Sequence, residues 1–158
     1  MTSGWLAFRW HGVNTTMRAR VSKSDIAERL TRVLLVDDER LVIRAMRRLI
    51  LSRHPEWDVL CAHSVDSALR ILAEYPVDVM VTDLNMPEVD GVVLLNIACQ
   101  RYPRMARVVH SAHIEVFGPE DVQDLCVAVL AKPAGATELV GAIELASRGD
   151  ASSTLVAG

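Results

Sequence analysis

The chain has little cysteine, no long apolar run and no basic concentration over most of its length, and each lack closes off a class of function. Cys61, Cys99 and Cys126 are odd in number and far apart, with no C-x-x-C pair, so neither a disulfide framework nor a zinc site is indicated. A reducing, cytoplasmic setting is the expectation. No apolar stretch approaches the roughly 20 residues that a membrane span needs, and the first residues lack the continuous apolar core of a signal peptide, so no membrane partner is expected. Of the 17 basic and 20 acidic residues, six and two fall within Met1 to Arg32, leaving 11 against 18 from Val33 onward. That acidic remainder argues against a nucleic-acid surface, which relies on clustered Lys and Arg to meet phosphates.

What is present is enough for one core. A chain of 158 residues with 51% hydrophobic content suits a single domain. Met1 to Val21 shows no sustained period and Ser22 to Leu30 suggests at most a short helix, so 1–31 is read as an extension, 32–148 as the domain and 149–158 as a short tail.

From Val33 the pattern becomes regular. V-L-L-V reads as a strand, followed by Asp37, Asp38 and Glu39 and then by a helix with Val42, Ala45, Met46, Leu49 and Ile50 on one face. Arg40, Arg44, Arg47 and Arg48 fall on the other, solvated face. Pro55 ends that helix, Trp57 to Ala62 is a second strand, and Ser64 caps a helix carrying Val65, Ala68, Leu69 and Leu72 at helical spacing. The third strand, V-D-V-M-V-T, ends on Asp83; Pro87, Asp90 and Gly91 turn the chain into a nearly all-apolar helix that Pro103 stops. Arg107 to His110 is a fourth strand delivering Ser111. Pro119 opens a short helix, and Val127 to Ala131 is a fifth strand ending on Lys132 and Pro133, whose peptide bond is expected to be cis. Leu139, Ala142, Ile143 and Ala146 form the buried side of a last helix, with Gly149 as its C-cap.

Five strands alternating with five helices make a doubly wound α/β fold around a five-stranded parallel sheet, since each helix must cross back over the sheet. Asp37, Asp38, Asp83, Ser111 and Lys132 then meet at the carboxyl ends of the strands, where open parallel sheets bind ligands. Three carboxylates about 5 Å apart repel by roughly 3 kcal/mol per pair at an effective dielectric of 20, so the site asks for cations. Lys132 supplies one. A hard divalent ion with oxygen ligands, magnesium, is the natural second.

These residues carry a resemblance over Arg32 to Ala146. V-L-L-V-D-D-E, T-D-L-N-M-P-E-V-D-G, the strand-end Ser111 and A-K-P occur in the order and near the spacing of bacterial response-regulator receiver domains, which the chain resembles. The resemblance implies a flavodoxin-like strand order of 2-1-3-4-5. It implies Asp83 as phosphoacceptor, fed by a histidine kinase or phosphotransfer protein, and magnesium held by Asp37, Asp38, Asp83 and the main-chain carbonyl of Asn85. Lys132 would pair with a phosphoryl oxygen and Ser111 would move to another, which is the conformational switch. The domain would then be a signalling element and not an enzyme beyond its own phosphorylation and dephosphorylation. With ten residues after Arg148, a separate downstream partner is expected to carry the output.

Two departures from the family pattern bear on output: Val129 stands where the family commonly has an aromatic residue that moves with the hydroxyl, and Leu125 and Cys126 replace a common Gly-Ala pair. His113, two after Ser111, falls where family members vary, a position that bears on phosphoryl lifetime. His63 and His110 lack companion ligands and read as structural. Two rival readings follow: a degenerate receiver that only binds protein, and a phosphohydrolase of the haloacid dehalogenase type. Against the latter, Asp83-Leu84-Asn85 lacks the second carboxylate of a D-x-D general acid and base.

Overall fold

The structure is a computed structural model that describes residues 30–87, 91–112, 125–148 and 155–157. The N-terminal extension up to residue 29, the helix expected from Pro119, and Asp90, His113 and Gly149 lie outside the described residues. The described strands are β1 (Arg32–Val36), β2 (Asp58–Ala62), β3 (Val79–Thr82), β4 (Ala106–Ser111), β5 (Ala128–Ala131) and β6 (Leu155–Ala157). The described helices are α1 (Arg40–Arg53), α2 (Val65–Glu74), α3 (Gly91–Arg101) and α4 (Ala136–Ser147).

All pairings are parallel, in the order β2-β1-β3-β4-β5-β6. The first five strands follow the expected 2-1-3-4-5. A sixth joins them, because Leu155–Ala157, in the stretch expected as a tail, pairs with Ala128–Leu130 at the sheet edge. Three residues flanked by small polar ones gave too short an apolar run to stand out in the sequence.

β1, β3 and the inner part of β4 are buried on both faces, which is why they read as unbroken apolar runs and not as alternating ones. Alternation still sorts the side chains into two cores. Val33, Leu35, Val79, Val81, Val108 and Leu130 pack with Ile43, Met46 and Ile50 of α1 and with Leu139 and Ile143 of α4. Leu34, Val36, Met80 and Val109 pack with Ala68 and Leu72 of α2 and Leu94 and Leu95 of α3. Full burial of each such Leu or Val contributes about 1.5–3 kcal/mol, so the central strands are rigid supports for whatever sits at their ends.

The buried face of α1 is turned slightly from the expected one: Ile43 is buried and Ala45 exposed. The arginines of α1 do face solvent. His54 N–H closes α1 on the Ile50 carbonyl, and Pro55 bars another turn. α2 begins as expected, with Ser64 and Ser67 forming a reciprocal cap.

Candidate functional site

Register decides what meets at the carboxyl edge. Val36 pairs with Thr82, Thr82 with Val109, and Ser111 with Ala131, so Asp37 and Asp83 leave the sheet level with each other, with Ser111 one row and Lys132 two rows further along the same carboxyl edge. Two main-chain bonds extend the ladder past the strands: Asp83 N–H donates to the Val36 carbonyl at 2.9 Å, and Lys132 N–H to the Ser111 carbonyl at 3.0 Å. By alternation Asp37, Asp83 and Lys132 share the face of Leu35, Val81 and Leu130. The two aspartates and the lysine are thus pre-aimed at one point by the pleat.

They meet there. Lys132 Nζ donates to Asp37 Oδ2 at 2.7 Å and to Asp83 Oδ2 at 2.6 Å. Asp37 is fully buried and Asp83 is 5% exposed, while Asp38 is exposed. One carboxylate oxygen from each of Asp37, Asp38 and Asp83 lies within 4.8 Å of the others. Three carboxylates against one ammonium leave two negative charges, which is the deficit a divalent cation fills, and an all-oxygen donor set is the one magnesium prefers. The residues fit that ion.

Burial alone would raise the Asp83 carboxyl and lower the Lys132 ammonium. In both the pairing outweighs it. Hydrogen bonds from Lys132 and from the Asn85 N–H hold Asp83 below the usual carboxylate range, and Asp37 and Asp83 hold Lys132 above the usual ammonium range. Asp83 is therefore an anion, hence a usable nucleophile, throughout the neutral range. Asn85 itself is exposed, and its N–H turns back to Asp83 Oδ1 at 3.1 Å. Ser111 Oγ is buried close enough to Asp83 to favour its charge, yet short of hydrogen-bonding geometry, so it has no hydrogen-bond partner.

Several contributors were not singled out from the sequence. Glu39 N–H donates to Asp37 Oδ1 at 2.8 Å, Thr82 Oγ1 donates to the Asp83 carbonyl at 2.9 Å, and His63 Nδ1 lies 3.3 Å from the Asp37 carbonyl. Gly91 is the tightest. Its N–H donates to the Leu84 carbonyl at 2.9 Å, and a Cβ at this position would fall onto the Asp83 main-chain oxygen, 2.7 Å from Leu84 Cα. A glycine opening a helix reads equally well as a cap, so its close approach had no signal of its own. The Lys132-Pro133 bond is cis, as expected. Val129 is buried among the apolar residues of the α2 and α3 side, and Cys126 is buried in the same core, where the lack of solvation pushes its thiol up to about 11.

The family model for the response regulator receiver domain matches residues 33–144. The chain belongs to that family. Among curated relatives of this receiver domain, the transcriptional regulatory protein DegU of Brevibacillus brevis is 28% identical over 128 residues, covering 80% of this chain and 54% of that protein. The positive alginate biosynthesis regulatory protein of Pseudomonas aeruginosa is 32% identical over 118 residues, covering 73% and 47%. The chain thus spans about half the length of these relatives. Among solved structures, the signal receiver domain of an HD domain-containing protein from Pseudomonas fluorescens Pf-5 is 25% identical with a TM-score of 0.70, covering 77% of this chain and 97% of that one. A receiver domain protein from Clostridium thermocellum is 29% identical with a TM-score of 0.65, at 77% and 97% coverage. Among the described residues no helix is long and apolar enough to cross a membrane.

Proposed function

We propose that this receiver domain accepts a phosphoryl group on Asp83 from a histidine kinase or a phosphotransfer protein, in the cytoplasm, and signals the change to a downstream partner. The observation that carries the reading is the Lys132 ammonium bridging Asp37 and Asp83 beside the exposed Asp38. Asp83 presents an ionised oxygen to the incoming phosphorus, and the new P–O bond forms as the P–N bond to the donor histidine breaks and its imidazole leaves. Lys132 is already on that oxygen and turns with it to the new phosphoryl oxygens, releasing Asp37. Asp37, Asp38, Asp83 and the Asn85 carbonyl would hold magnesium, which when bound neutralises charge building on the phosphoryl oxygens.

Ser111 supplies the switch. Its unpartnered hydroxyl gains an acceptor only when Asp83 is phosphorylated, and the Lys132 N–H bond to its carbonyl ties the ends of β4 and β5 into one unit. With Val129 packed in the core in place of a movable aromatic, the signal leaves through the backbone at these strand ends. Hydrolytic chemistry would need a second carboxylate where Asn85 stands.

Incubation with acetyl phosphate, read by intact mass, tests the reading. One phosphoryl group should add to the parent with magnesium, little without it, and none to Asp83→Asn. Equal labelling of Asp83→Asn would refute the assignment. An unlabelled parent that also fails to respond to beryllofluoride would favour a protein-binding module without phosphoryl chemistry.

A further inference from the structure

His110 shares a row with the phosphoacceptor. The pairings Val81 with Val108, Thr82 with Val109 and His110 with Leu130 place it level with Asp83 on one side and Leu130 on the other. By alternation it stands on the face of Val108, the same face that presents Asp37, Asp83 and Lys132. It is 6% exposed, and neither ring nitrogen has a hydrogen-bond partner. Buried polar side chains are nearly always paired, so an imidazole with both nitrogens idle beside a charged site calls for a second state in which one is used. An ordinary strand residue at this position would be apolar.

Burial and the nearby Lys132 charge, against the weaker pull of Asp37 and Asp83, keep the ring below its ordinary value. A neutral imidazole carries one donor and one acceptor nitrogen. Lys132 has three N–H donors, of which Asp37 and Asp83 take two. Resting on the receiver reading, we infer that His110 is a positioning residue for the phosphorylated state: its acceptor nitrogen takes an N–H of Lys132 when that ammonium leaves Asp37, and so keeps it turned to the phosphoryl oxygen. No covalent step is involved. The bond compensates an imidazole left unpaired in the resting state, and thereby biases the domain toward the phosphorylated one.

The test uses the full chain with histidine ring nitrogens labelled by 15N, with magnesium and beryllofluoride as the phosphoryl probe. The His110 ring signals should shift on addition, while those of His54, at the other end of the sheet, stay put. His110→Val should shorten the lifetime of the aspartyl phosphate roughly ten-fold, the low end of what one hydrogen bond to a charged group is worth. His110→Gln, which keeps an acceptor, should restore most of it. If the Ser111 amide responds to beryllofluoride while the His110 ring does not, or if His110→Val keeps the parent lifetime, His110 is only a core residue and the inference falls. If neither responds and the parent takes no label, the receiver reading falls with it. Should His110→Val fail to fold, the ring signals of the parent decide alone.

Discussion

At the amino ends of the strands, Arg32 donates through its main chain to Asp78 at 2.8 Å, through Nε to Asp58 at 2.7 Å and through Nη1 to the Pro76 carbonyl at 3.2 Å, with its guanidinium 5.5 Å over the Tyr75 ring. Nearby, His54 is stacked on Trp57 and bonded to Glu144 at 2.7 Å and Glu56 at 3.1 Å. At the carboxyl ends, Asp37 and Asp83 share one ammonium with the exposed Asp38 beside them, and the side chains of Ser111 and His110 have no hydrogen-bond partner. One end spends its polar groups on the fold. The other leaves them unspent, and unspent charge and hydrogen-bonding capacity are what a ligand can use. The two histidines condense the contrast, one with a carboxylate on each nitrogen, the other with nothing on either. The cleft lined by Tyr75, Pro76, Tyr102 and Pro103 belongs to the satisfied end, away from Asp83.

The largest effect should come from Gly91→Ala, because the added methyl meets the main chain of Asp83 and Leu84 and not a side chain that can swing away. We expect a loss of about 1–3 kcal/mol in stability and a fall in phosphoryl uptake of about ten- to a hundred-fold, read by urea unfolding and intact mass. A variant that unfolds less readily or labels as the parent does would show that the turn after Asp83 is loose. Arg32→Ala should separate the two ends, costing about 1.5–3 kcal/mol through the lost charged bonds while leaving uptake unchanged. Impaired uptake there would mean that the ends are coupled.

Gly141→Ala probes neither end. It lies within α4 with open space around the position where a methyl would go, so it should raise stability by about 1 kcal/mol. The smallest effect is at His54. Burial would lower its ring, but the bonds to Glu144 and Glu56 outweigh that and raise it. The stabilisation is therefore complete below the unfolded value near 6.5 and fades as pH rises through the raised folded value. Both carboxylates reach solvent, so the loss should be only about one to two degrees in melting temperature, and His54→Gln should flatten it. A parent that gains stability over that range would reverse the sign we assign.

Much of this was legible in the residue pattern. Two-sided burial of β1 and β3 leaves a continuous apolar signature, and a carboxylate at the end of such a run marks where the sheet meets solvent, so the positions of Asp37 and Asp83 followed from the one-dimensional pattern. Less accessible were features that depend on which row or face a residue joins. His110 looked like a lone histidine because its tie to Asp83 is lateral, across strands 27 residues apart in the chain. Gly91 acts through a contact with backbone and the Glu39 N–H through a main-chain bond, neither of which has a side-chain signature. β6 is held by pairing with β5, a tertiary choice that three residues do not announce.

The claim that the unspent charge is a cation site for phosphoryl transfer is tested most directly by melting the parent, Asp38→Ala and Arg32→Ala across a magnesium titration at constant ionic strength. Asp38 is exposed and outside the Lys132 pairing, so its removal leaves the fold intact and isolates the metal response. Magnesium should stabilise the parent and Arg32→Ala alike, by about 1.4 kcal/mol at ten times the dissociation constant, and Asp38→Ala far less at the same concentration. An equal response in Asp38→Ala, or none in the parent, would contradict the account.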